Sequence, residues 1–249
     1  MERAKQISES IEMGAIMALA GGFMDAYSYI GRGGVFANAQ TGNMLLAAVN
    51  LSSGDPRSSL KHLLPVIAFA LGIMMADLVH ERFASVLHWR QETVLVEAAI
   101  LFVVSRLPES QNLLANCLTS LACGTQVESF RKIHGHGIAT TMCIGNLRSA
   151  LQNVDDFIIT HNRGFLLNGL LYFGVIAMFM AGAVLGNACI GWFGLRAIAV
   201  ASALLALAFT GRFVDREGNE ESSRPAERSC ARRRDLLSVG AFANLKKGT

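Results

Sequence analysis

Eleven residues, Gly33-Gly34-Val35-Phe36-Ala37-Asn38-Ala39-Gln40-Thr41-Gly42-Asn43, fall where a hydrophobic segment should be gathering length. The run before them, Met13–Ile30, is apolar apart from one acid, Asp25, and the run after them, Met44–Leu51, is apolar again. Glycine gives a helix backbone freedom that costs stability, and asparagine competes for main-chain hydrogen bonds. The stretch therefore reads as backbone built to break. At about 1.5 Å per residue, Met44–Leu51 reaches only part way across a bilayer core of about 30 Å.

The surrounding chain is apolar. Of its 249 residues 52% are hydrophobic and 16% charged, well under the roughly 25% charged usual in soluble domains. Nine of the 22 Lys/Arg and six of the 19 Asp/Glu lie between Arg212 and Lys247, which leaves 13 of each sign in a neutral body. That pattern indicates an all-α polytopic membrane protein: an arm over 1–12, a membrane domain over 13–211 and a charged, mostly disordered tail over 212–249. Glu9 and Glu12 precede the first apolar run, so it is expected to be a retained helix and not a cleaved signal. Further runs follow at Leu63–Val79, Val94–Val104, Leu113–Phe130, Leu166–Ala188 and Ile190–Thr210. Ser52–His62 reads as a polar loop with a turn at Asp55-Pro56.

The halves align on themselves with a shift of 103 residues. Gly21 then meets Gly124, Asp25 meets Glu128, Gly42 meets Gly145 and Asn43 meets Asn146. The acid, the glycines and the Gly-Asn pair carry this match, because apolar matches are uninformative in such a chain. The expectation is two four-segment repeats, 13–107 and 113–210, each with one discontinuous or re-entrant element. If the broken elements span, there are eight membrane segments and parallel repeats; if they are re-entrant, there are six and the repeats are inverted. Lys/Arg placement favours six, and either topology puts both termini in the cytoplasm.

Paired broken segments in a membrane protein point to a transporter pathway. The expected pathway residues are Asp25, Asn38, Thr41, Gly42, Asn43, Glu128 and Asn146. Asp25 reads as a cation or proton coupling site, or alternatively as a buried acid paired with helix amides or hydrated near the interface. Asn43 and Asn146 cap the short helices or contact solute; the second copy, with Ile144 in place of a hydroxyl, is the weaker one. Asp77, His80 and Glu97 are explained by interface positions. Gly182 and Gly186 form a G-x-x-x-G packing motif that could support a homo-oligomer. The five cysteines form no C-x-x-C pair and are expected as buried free thiols. His134-Gly135-His136 is too short for a zinc site, and no nucleotide loop or hydrolase motif occurs, so no enzyme activity, cofactor, metal or nucleic-acid partner is expected. The competing reading is a non-transporting structural or regulatory membrane protein acting through helix packing and its basic tail.

Gly22-Phe23-Met24-Asp25-Ala26, Gly33-Gly34-Val35-Phe36-Ala37-Asn38 and Thr41-Gly42-Asn43 resemble the first signature of the YoaK family, grouped as DUF1275. Ala139-Thr140-Thr141 with Gly145-Asn146-Leu147 is similar to its second signature. Gln40, Ile144 and Val127-Glu128 depart from the pattern. The resemblance implies a multi-pass protein of the bacterial inner membrane, described as a permease, with no substrate assigned and no catalytic residues.

Overall fold

The computed structural model describes residues 11–83, 89–130, 140–141 and 143–209. Arg131, Lys132, His134–His136 and the 212–249 tail lie outside the described residues. Among the described residues the chain is helical and has no strand. Helix α1 (Ile11–Ala26) runs into a π-helical turn, Tyr27–Gly31, and then into the break. It is followed by α2 (Gln40–Ser52), α3 (Pro56–Phe83), α4 (Trp89–Val104) and a 3-10 turn, Glu109–Gln111. Next come α5 (Asn112–Ser129), α6 (Cys143–Thr160), α7 (Arg163–Phe193), a 3-10 turn at Gly194–Ala197 and a final helical stretch over residues 198–209.

Local chemistry explains the helix ends. Gly33 and Gly34 hold φ of 87° and 80°, and the Gly34 N–H reaches back to the Tyr29 carbonyl at 2.8 Å. A left-handed exit of this kind closes the open carbonyls of a helix end and suits glycine. The polar run Ser52–His62 is not a loop. Gly54, at φ 78°, ends α2, and Asp55 caps α3, its Oδ1 accepting from the Ser58 N–H at 3.0 Å. Pro56 sits at the first helical position, where its missing N–H costs nothing. The corner therefore takes three residues, and Ser58, Ser59, Lys61 and His62 belong to α3.

Contacts fix the direction of each helix. The Arg32 side chain, just past α1, bonds the carbonyls of Val104, Leu107 and Pro108 at the α4–α5 corner. Tyr27 donates to the Leu195 carbonyl after α7, at 2.9 Å. The Lys61 ammonium, near the start of α3, lies beside Gly33. These corners gather at one end of the protein, so α1, α4 and α7 run towards it, while α3, α5 and the 198–208 stretch run away. Close approach of backbones sets the packing between them. A Cβ at Gly22 would collide with the Phe179 carbonyl of α7, and one at Gly182 with the Leu19 carbonyl of α1. Gly72 of α3 and Gly124 of α5 meet each other's helices at Leu121 and Phe69 in the same way. Gly182 and Gly186 thus pack inside the chain, against α1.

The distribution of residues is that of a protein solvated by lipid. Leu63, Ile67, Leu71, Met74 and Leu78 of α3 and Leu167, Leu170, Met180 and Val184 of α7 are exposed. Asp25, Arg32, Asn38, Gln40, Asn43, Glu97 and Asn116 are buried. Alpha3 and the stretch Arg163–Phe209 are long and apolar enough to cross a membrane.

Candidate functional site

The break does not cross the protein. From Arg32 the chain turns inward, reaches Gly21 through Asn38, and starts α2 at Gln40 beside Ser120 of α5. Alpha2 then returns to the α2–α3 corner at the end it left. At the deepest point the main chain bends over Asp25, which is 7% exposed. The Asn38 N–H donates to Asp25 Oδ1 at 2.7 Å, and the N–H groups of Ala39 and Ala37 also act on the carboxyl. Asp25 is therefore held by unwound backbone, with no helix amide and no basic side chain in the set. The Asn38 amide donates to the Gly21 carbonyl at 3.1 Å, while its Oδ1 is buried without a partner.

Alpha6 comes to the same place from the other side. It lies antiparallel on α7, with Gly169 against Ala150, and ends at the corner opposite Arg32. Its approach, Thr140 and Thr141, is buried, and a Cβ on Gly21 would stand 2.6 Å from the Thr141 methyl and 3.7 Å from the Asn38 amide. Asn38 and Thr141 thus meet at Gly21, which explains why that position is a glycine. Cys143, the first residue of α6, lies within electrostatic reach of Asp25. The hydroxyls of Thr140 and Thr141 are buried with no partner, as is Asn38 Oδ1. Buried polar atoms are normally satisfied, so these three, together with the buried acid, make this junction the candidate site.

The remaining expected residues take other positions. Asn43 is a clamp: its Oδ1 accepts from the Phe36 N–H at 3.0 Å, and its Nδ2 donates to the Phe36 carbonyl at 2.7 Å and to Gln40 Oε1 at 2.9 Å. Gly42 admits the Phe36 ring, 2.9 Å from where a Cβ would be, and that ring stacks on Tyr29. Thr41 is exposed on the outer side of α2. Asn146 is buried in the first turn of α6, and Glu128 is half-buried near the end of α5. Cys123 and Cys189 are buried free thiols, and Cys117 and Cys143 are half-buried and free.

Four residues matter beyond those the sequence singles out for the pathway. Thr140 and Thr141 belong to the stretch that resembles the second family signature, which assigns them no role in the pathway. Arg32 is wholly buried and donates all around: Nε to the Tyr27 hydroxyl at 2.8 Å, Nη1 to Pro108 O and Asn112 Oδ1, and Nη2 to Val104 O and Leu107 O. Its partners lie more than 70 residues away, apart from Tyr27. Glu97 is not at an interface: it is 1% exposed, in the middle of α4.

The family model for "Protein of unknown function (DUF1275)" matches residues 13–211. The chain is also 25% identical over 180 residues to the UPF0700 transmembrane protein YoaK of Bacillus subtilis (strain 168), covering 69% of this chain and 80% of that protein. No solved structure matches the chain. The buried polar interior, the lipid-facing apolar helices and the matched family agree: the chain is a membrane protein and belongs to the DUF1275 family.

Proposed function

We propose that the protein is a secondary transporter or small-solute permease of the bacterial inner membrane, with the junction at Gly21 as its binding point. The observation that carries this is the set of buried unpartnered polar atoms, Asn38 Oδ1 and the Thr140 and Thr141 hydroxyls, beside Asp25. Irregular backbone at membrane depth is stable where protein buries it or where it lines a cavity. Here Asn38 of the first break and Thr141, just before α6, both lie against Gly21. In this reading each is re-entrant, the chain crosses the membrane six times, the repeats are inverted, and both termini are cytoplasmic. The reciprocal packing of α1 on α7 and α5 on α3 supports the duplication, since each pairs the first helix of one half with the third of the other.

Asp25 would bind the coupling proton or cation, and the hydroxyls and Asn38 would bind the solute. The test uses purified protein in liposomes loaded with a pH-sensitive dye. Gradients of amino acids, sugars, small amines and small organic acids are imposed in turn. At least one solute should move protons or charge, and Asp25→Asn should abolish the coupled movement. A solute carried equally well by Asp25→Asn removes the coupling role, and no response to any gradient removes the transporter reading.

A further inference from the structure

Glu97 is a second acid of the interior that the pathway above leaves unused. Its helix buries Val94, Ala98, Leu101 and Val104, a spacing of three and four residues, and Glu97 lies on that same face. The neighbours are those of a core. Ser202 of the 198–208 stretch donates to the Ala98 carbonyl at 2.6 Å, and Ile198, Ala201 and Leu205 pack into the same cluster as Val94 and Leu101. That stretch carries no titratable residue. Glu97 Oε1 is buried without any hydrogen-bond partner.

Depth relates Glu97 to Asp25. Arg32, just past the π-helical turn that follows α1, bonds the Val104 carbonyl at the end of α4, and Asp25 and Glu97 each lie seven residues before their end of that contact, in helices that run the same way. Seven helical residues span about 10 Å, so the two carboxyls lie at about one level. Alpha5 crosses that level in the other direction. Its Cys123 touches Met24 at 3.7 Å and lies within electrostatic reach of both Glu97 and Asp25. Ser120 and Thr119, one turn earlier on α5, are buried.

Among the described residues no basic side chain bonds Glu97 Oε1. The guanidinium donors of Arg32 are already taken by Tyr27, Asn112 and three carbonyls. On α3, Asp77, Glu81 and Arg82 are exposed and His80 is half-buried, and α5 offers only Cys123 as a titratable group in reach. An ionised carboxylate with no partner in an apolar interior gives way to its neutral form. A hard metal ion would need several oxygen ligands. No group of three or more metal-binding side chains occurs among the described residues.

We propose that Glu97 is a second proton-carrying acid, neutral at rest, whose charge state is coupled to that of Asp25 across the Cys123 position. Its neutral state does not depend on the transport reading; only its part in coupling does.

Infrared spectroscopy of the full chain in liposomes tests this without a substrate. At neutral pH, the wild type minus Glu97→Gln spectrum should show one protonated carboxylic-acid C=O band, displaced in Glu97→Asp. Titrating the wild type gives the pH at which the band is lost. Asp25→Asn takes away a neighbouring negative charge, so it should move that loss to lower pH by on the order of one unit. Absence of the band, or a titration indifferent to Asp25→Asn in a variant that melts like the wild type, overturns the proposal. A coupled band without solute movement would leave Glu97 standing and refute the transporter alone.

Discussion

Replacing Arg32 by methionine should destabilise the protein more than any other single change of charge. Methionine keeps the unbranched stem but removes the donors that serve Tyr27, Asn112 and the carbonyls of Val104, Leu107 and Pro108. Each buried carbonyl left without a donor costs about 1–3 kcal/mol. Three would give about 3–9 kcal/mol if all were fully buried; the Leu107 and Pro108 contacts are part-buried and relief from burying a guanidinium returns some of the rest, for a net loss of about 2–4 kcal/mol. At about 2–4 °C per kcal/mol for a chain of this size, the melting point should fall by about 5–15 °C. Lysine, with three donors and no planar fork, should fall between. The measurement is thermal unfolding of the detergent-solubilised protein by intrinsic fluorescence. Arg106→Met is the control: Arg106 belongs to the same corner but is exposed, stacked over Phe102 at 4.8 Å, and should shift melting little. Equal effects at Arg32 and Arg106, or a wild-type melt for Arg32→Met, would refute the hub.

Other predictions follow from packing and topology. Gly22→Leu and Gly182→Leu drive a side chain into the facing backbone of Phe179 and Leu19, so folded yield should collapse, whereas Gly174→Leu and Gly191→Leu meet open space and should express normally. Single cysteines at Ser53 and Asp156, both exposed and at opposite ends, should label from opposite sides of the membrane; labelling from one side would refute the re-entrant arrangement. Hydrogen bonds from the Ser58 hydroxyl and N–H hold the exposed Asp55 carboxyl below its usual range. That group therefore stabilises α3 above the ordinary carboxylate range and stops doing so as pH falls through its own lowered value. Asp55→Asn should remove that acid sensitivity, read as hydrogen exchange at the first turn of α3.

The sequence made the break legible because glycine and asparagine cluster where an apolar run should continue, and Asp25 stands out against apolar neighbours for the same reason. The helical runs were readable from composition, but their ends were not. Ser52–His62 looks like a loop by polarity, while a glycine, an aspartate cap and a proline compress the corner and return the other polar residues to α3. Asn43 was ambiguous between cap and ligand, and only the fold shows both ends of its amide engaged by Phe36 and Gln40. Glu97 reads as an interface residue, and Arg32 carries no signal, because sequence position places a charge relative to a run, not relative to helices that arrive 70 or 100 residues later.

The grip on Asp25 is made of main-chain N–H groups from Ala37, Asn38 and Ala39. A substitution at the exposed Ala39 leaves those donors where they are, unless it is proline; at Ala37, buried in the core, a larger side chain would disturb them. Adding or deleting one residue between Gly34 and Gln40 moves all of them at once. The acid is therefore tuned by the length of the segment facing it more than by the identity of its side chains. Relatives that keep Asp25 but differ in that spacing would bind their carboxylate differently, and a comparison of residues alone would overlook it.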